Sequence, residues 1–281
     1  MINSNQRWYI QLLQDPLTAC ALFFVLLFCL TAIAAPLIAI HDPALLNPTS
    51  RLRPPSWDNW LGTDQLGRDV FSRALYGARV SLAIGAICGL VVLVTGAILG
   101  LLAGYVRWLD TVIMAVMDGL MAVPAVLLGV ASLMAIGSNT FGLIFAISLP
   151  FLPEITRLTR SLALTIRNEP FVEAAVMAGT GTARILWRHI LPNAVAPLIV
   201  LTSYVAASSI IAEAILSFIG IGTPPELPSW GNMIADGRNS FQRAPWVIFV
   251  PSTFLALVVL AINIIGDRMR DVTDPLSHGG H

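Results

Sequence analysis

The sequence predicts an all-α polytopic membrane protein that crosses a bilayer about six times. Three observations carry that prediction. Only 11% of the 281 residues are charged, against about 25% in an ordinary soluble domain, which leaves too little polar surface to solvate a globule. The mean hydropathy is +0.78. Apolar stretches near the ~20 residues that a helix needs to span hydrocarbon recur between polar intervals.

Taken in order, residues 1–16 form a short polar start with Arg7, followed by a first span over 17–40 whose outer end Pro36 kinks or terminates. This run is longer than a signal-peptide core and has no clear small-residue cleavage site after it, so it reads as a retained helix. Residues 41–79 are rich in Pro, Asp, Arg, Trp and Gly and are too polar for lipid. They read as an ordered extramembrane loop, with Val70–Tyr76 as a short amphipathic helix at the interface.

A second span is expected over 80–103 and a third over 111–136, interrupted by Gly119 and Pro124. A fourth, over 140–155, ends near Pro150 and Pro153. The polar interval 157–193 follows, then a fifth span over 194–219, a Pro- and Gly-rich loop over 220–244, a sixth span over 245–265 and a charged tail over 266–281. With the N terminus inside, the inner segments hold nine arginines and the outer segments seven, a weak positive-inside signal.

Composition also excludes. The net charge is zero, so no broad basic field points to nucleic acid. All sixteen cationic residues are arginine; without lysine the chain has neither a complete Walker A loop nor a lysine nucleophile, and ATP-driven work needs another subunit. Cys20, Cys29 and Cys88 lie in apolar stretches, with no spacing for a metal or disulfide framework.

The interval 168–193 reads as helix, break, helix. Pro170 suits a first helical position, Glu173-Ala174-Ala175 an interior and Gly179 a left-handed stop. Thr182 suits a cap for a second helix with Arg184 and Arg188 four apart, and Pro192 resets the chain into the fifth span. Such a charged elbow between two membrane helices can transmit force from a soluble partner, although surface helix pairs have many uses.

Glu173-Ala174-Ala175, Gly179 and Ile190-Leu191-Pro192 resemble the EAA-loop signature of permease subunits in ABC importers. His189 through Asn193 is similar to the ending in the C-type subunits of the dipeptide, oligopeptide and nickel group. The string Gly62-Thr63-Asp64-Gln65-Leu66-Gly67-Arg68-Asp69 resembles the first-loop signature of that group, and Tyr76–Leu82, Ser217–Gly222, Pro228-Ser229-Trp230-Gly231 and Gly266–Asp271 continue the likeness in order. The resemblance implies a six-helix type I importer domain in the bacterial cytoplasmic membrane, with both termini cytoplasmic.

It further implies a second homologous permease, two ATPase subunits carrying ATP and Mg, and an extracytoplasmic solute-binding protein. The expected substrate is a di- or oligopeptide, with nickel or another small solute as the alternative. No catalytic residue, metal site or cofactor is expected on this chain. Within the elbow, Glu173 is expected to position the loop on the ATPase, with Arg184, Arg188 and His189 beside it. Asp64, Arg68 and Asp69, with Gly62, Gly67 and Trp230, are expected in an outer element that closes the path or meets the binding protein; the string lacks the ligand ladder of an EF-hand.

Asp118 and Glu213 lie in apolar spans, where an unpaired carboxylate is costly; lining a passage and bonding helices together both remain open. His278 and His281 read as a terminal tail rather than a metal site. Two competing classes are a membrane scaffold that only binds an ATPase and an intramembrane hydrolase. No Ser, His or Asp pairing supports the latter.

Overall fold

The computed structural model describes residues 15–137, 139–224 and 227–273. Arg7 and the tail histidines His278 and His281 lie outside the described residues. Among the described residues there is no strand, only an isolated bridge between Thr63 and Asp69.

Helix α1 spans Pro16–Ile38. Its start is fixed by Asp15, whose carboxylate accepts from the Thr18 N–H at 3.2 Å and the Thr18 hydroxyl at 2.6 Å. A thin stripe through Ala21, Phe28, Ala32 and Ala35 is buried, while most other side chains face outward, as suits a helix bathed in lipid.

Helix α2, Val70–Tyr105, has 36 residues and is roughly 54 Å long, far more than the ~30 Å hydrocarbon core. The separate interfacial helix expected at Val70–Tyr76 is instead its first two turns, so the expected span over 80–103 is only its interior. Nothing breaks the helix between the two parts: Gly77 makes room for Trp230, whose Cδ1 would stand 3.1 Å from an added Cβ. Asp69 caps it, accepting from the Ser72 N–H at 2.8 Å and hydroxyl at 2.7 Å.

The expected third span is not one rod. Helices α3, Arg107–Met121, and α4, Ala125–Ile136, meet at 102°. Pro124 supplies no N–H to continue α3 and has ψ 134°, outside the helical region.

The fourth span runs longer than expected. Helix α5, Thr140–Ser148, passes through a 3₁₀ turn at Leu149–Phe151 into α6, Leu152–Arg167. Pro150 and Pro153 fall at first-turn positions of the last two segments, where a missing N–H leaves no bond unmade. Arg157 and Arg160 therefore sit in a helix rather than in the expected polar loop.

The elbow holds α7, Pro170–Met177, and α8, Thr182–Ile185. A π turn over Leu186–Ile190 leads without interruption into α9, Leu191–Ile219. Pro192 thus does not reset the chain. The wide turn carries the helix past it: the Leu191 N–H bonds Leu186 O, and the Asn193 amide donates to His189 O at 2.6 Å. Helix α10, Trp230–Gly237, lies in the expected last loop, and α11, Trp246–Thr273, extends the sixth span into the expected tail.

Helix α2 is the axis of the bundle. Gly96, Gly100 and Gly104 form a stripe against α6; a Cβ at these positions would stand 2.6 Å from Ile155 Cγ2, Thr156 O and Ala163 Cβ respectively. Gly85 and Gly89 face Ala206 of α9 in the same way. Small residues let backbones meet where no water is left to drive association.

Candidate functional site

Two constructions lie at opposite ends of α2. At its C-terminal end, the elbow is seated by Val172, Ile185, Leu186 and Ile190, all buried in one cluster with Leu101, Ile155, Ala163 and Ile166. Glu173 lies in the first turn of α7 and is exposed, as are Ala174, Arg184, Arg188 and Pro192; Ala175, His189 and Leu191 are half-buried. Gly179 has φ +76° with open space around it, so its glycine is required by backbone conformation and not by crowding. Gly181, not Thr182, occupies the cap of α8, and no side chain bonds there. The exposed face also carries Phe171, Val176, Met177 and Trp187, with Met177 89% exposed.

At the other end the charged string of the first loop folds inward. Asp64 accepts from Arg68 Nε at 2.6 Å and pairs with Arg73, and its second oxygen receives the N–H groups of Leu66 at 2.8 Å and Arg68 at 2.9 Å. Arg68 and Arg73 both reach Asp236 of α10, at 2.9 and 3.1 Å. Gln65 donates to Asp236 O at 2.6 Å. Trp230 is wholly buried, its ring N–H on Ala74 O at 3.1 Å and its backbone N–H on Ser81 Oγ at 3.2 Å. Gly62 and Gly67 take φ +75° and +74°.

The string is an ordered structural element whose acids and glycines face inward. Asp64, Asp69, Gly62, Gly67 and Trp230 are buried and have no surface to offer; they lock the first loop, the start of α2 and α10 into one cap. The missed member is Asp236, which local spacing does not connect to Asp64.

The two intramembrane acids separate. Asp118 is exposed and ion-paired with Arg157 of α6; Asp110 of α3 holds Arg160 beside it, through a second contact of 2.6 Å. Glu213 is fully buried. Its Oε1 accepts from the hydroxyls of Ser217 at 2.6 Å, Ser229 at 2.9 Å and Thr223 at 3.2 Å, tying α9 to the loop and to the cap of α10. Glu213 therefore fastens these elements together.

Between α4, α5 and α9 lies an apolar cavity of about 250 Å³, with Gly129, Ala146, Ala212 and Leu216 in its wall and Ser208 as its polar group. Beside it α3 and α4 present Val112, Val116, Met121, Leu127 and Met134, all exposed. No group of His, Cys, Asp and Glu among the described residues suits a metal. The described residues thus form a helical bundle with a packed elbow at one end and a locked cap at the other.

Comparison with known proteins agrees with this layout. The family model for the binding-protein-dependent transport system inner membrane component matches residues 96–277. A protein of Sinorhizobium fredii described as a probable peptide ABC transporter permease is 49% identical over 248 residues, 88% of this chain and 85% of its own length. The dipeptide transport system permease of Alkalihalophilus pseudofirmus is 40% identical over 266 residues, 94% of this chain and 88% of its own. The oligopeptide transport system permease of Bacillus subtilis is 34% identical over 262 residues, 93% of this chain and 86% of its own. In fold, a chain of the MetNI methionine ABC transporter, solved in inward-facing conformations, superposes with a TM-score of 0.53 at 18% identity, covering 72% of this chain and 97% of that one.

Proposed function

We propose, because the chain belongs to the family of binding-protein-dependent transport system inner membrane components, that it is one permease of an ATP-driven importer and forms half of a passage for di- or oligopeptides. Relatives named as peptide, dipeptide and oligopeptide permeases align over most of both chains, and that is what supports the substrate class. A second, homologous permease covers the exposed apolar face of α3 and α4. Two ATPase subunits, which carry ATP and Mg, receive the elbow. A solute-binding protein delivers peptide at the opposite end. The elbow lies on the cytoplasmic side of the bacterial inner membrane, with both termini.

One observation carries the coupling: the elbow is packed into the core on its bundle side and exposes apolar side chains among its charges on its free side. Val172, Ile185 and Ile190 seat it, while Phe171, Val176 and Met177 project beyond Glu173. A displacement of the ATPases thereby moves α6 and α9 rather than bending a loop. This chain binds and transmits; hydrolysis is the partners' chemistry. The test is uptake into proteoliposomes holding the whole complex, its binding protein and internal ATP. Saturable di- or oligopeptide uptake is expected; uptake of nickel without peptide, or hydrolysis with no uptake at all, contradicts the reading.

A further inference from the structure

Arg79 lies at a depth where hydrocarbon would surround it. Helix α1 has 23 residues, roughly 34 Å, and so crosses the ~30 Å hydrocarbon core with little to spare. Leu37, Ile38 and Ile40, all exposed, mark its end away from the elbow. The His41 N–H donates to Ser72 Oγ at 3.1 Å, which sets that boundary of the hydrocarbon level with the first turn of α2. Arg79 follows two turns further along α2, roughly 10 Å deeper, and an ordinary ~20° tilt removes less than 1 Å of that depth. It is exposed, and among the described residues no acid pairs with it.

The side chain leads back toward the boundary. Its guanidinium lies over the Tyr76 ring, 5.9 Å from the centroid, on the side to which helical side chains lean. One turn recovers about 5 Å and leaves the charge still below the headgroups. A cation at that depth needs water or an anion. The two sides of α9 decide which. Ala206 and Ile210 line a cleft shared with Arg79, whereas Ser208, Ile211, Ala212 and Ile215, on the opposite side of that helix, line the apolar cavity beside α4 and α5. Arg79 therefore faces away from that cavity and toward the side of the bundle where α1 is bathed in lipid.

The cleft, of about 480 Å³, lies between α1, α2, α9 and α11. Arg79 is the one charged residue in its wall, which is otherwise apolar and mostly small. Ala83 and Ala86 continue the wall one and two turns deeper along α2, and Cys29 and Val25 do so along α1. The charge thus sits at the mouth and an apolar trough runs below it toward the middle of the membrane.

We propose that this cleft is a phospholipid site: one acyl chain lies along Ala83, Ala86 and Cys29, and an anionic headgroup of the leaflet opposite the elbow is drawn down until its phosphate meets Arg79. A guanidinium binds phosphate through two parallel N–H donors, and a zwitterionic headgroup would bring a second cation beside it. The site goes beyond the importer reading and needs only a chain that crosses a bilayer.

The experiment places the assembled complex in nanodiscs of equal parts phosphatidylglycerol and phosphatidylcholine, and measures by native mass spectrometry the Kd of the tightest bound phosphatidylglycerol. Arg79→Gln is expected to weaken it by roughly tenfold, the loss of a charge-assisted hydrogen bond. Arg79→Lys keeps the charge and stays within a few-fold of the parent. Ala86→Phe, at an exposed position, fills the trough with Arg79 in place and is expected to weaken binding as much as Arg79→Gln does. Binding within twofold of the parent in either Arg79→Gln or Ala86→Phe overturns the proposal. So does loss of the second permease from the Arg79→Gln complex, which would make the occupant a protein, or a shifted half-saturation of peptide uptake with lipid binding intact, which would put the guanidinium in the passage.

Discussion

The guanidinium of Arg73 reaches the carboxylate of Asp236 at 3.1 Å, across 163 positions of sequence. The same guanidinium pairs with Asp64, and both of those side chains are 2% exposed. Loop, helix α2 and α10 therefore move as one piece at this end of the bundle.

Burial orders the consequences. Arg73→Met leaves Asp64 buried without its closest partner and is expected to cost about 3–5 kcal/mol. Asp236→Asn removes a charge that is 43% exposed, and is expected to cost about 0–1 kcal/mol. Thermal denaturation of the lipid-bound complex checks both; equal losses would contradict the assigned hierarchy.

Gly100 faces Thr159 and Thr156 with no room for a side chain. Gly100→Val is expected to push α2 from α6 and cost about 1–3 kcal/mol by overpacking, with a lower unfolding midpoint. Gly179→Ala has open space but a positive φ, so its cost is local strain at the elbow, visible as faster proteolysis there while the bundle midpoint holds.

Met177 is almost fully solvated on the free side of the elbow. Burying such a side chain in an ATPase groove contributes about 1.5–3 kcal/mol, so Met177→Asp is expected to weaken ATPase association by roughly ten- to hundredfold or more. Co-purification of the ATPases at graded detergent concentration measures it, with the permease pair intact as the control.

Glu213 gathers three hydroxyl donors on one oxygen. Glu213→Gln keeps an acceptor there and is expected to hold Thr223 and Ser229, whereas Glu213→Ala strands their buried hydroxyls at about 1–3 kcal/mol and loosens the chain around them. Limited proteolysis there distinguishes them; equal protection in both variants would show that Glu213 does not fasten it.

Much of the fold is legible in the sequence because long apolar runs have few alternatives in a bilayer. The prolines show where that legibility stops. Pro124, Pro150, Pro153 and Pro192 all look like breaks, yet only Pro124 marks a sharp bend. The others occupy first-turn positions or follow a widened turn, and that depends on which carbonyls lack donors rather than on the residue itself. The string from Gly62 to Asp69 is legible as an ordered element, but its charges suggest surface. Their burial depends on Asp236, which pairs with them only after α2, α9 and α10 have packed. The Gly96, Gly100, Gly104 stripe lies at a spacing of four and was open to reading as a packing face.

The proposed coupling of ATP hydrolysis to peptide passage through the elbow is read by the number of peptides imported per ATP hydrolysed, in proteoliposomes carrying the assembled complex with Glu173→Arg in this permease. Glu173 is exposed on the elbow and carries no bundle packing, so assembly and hydrolysis are expected to persist while the ratio falls at least tenfold. A variant that assembles, hydrolyses and imports at the parental ratio would contradict the account.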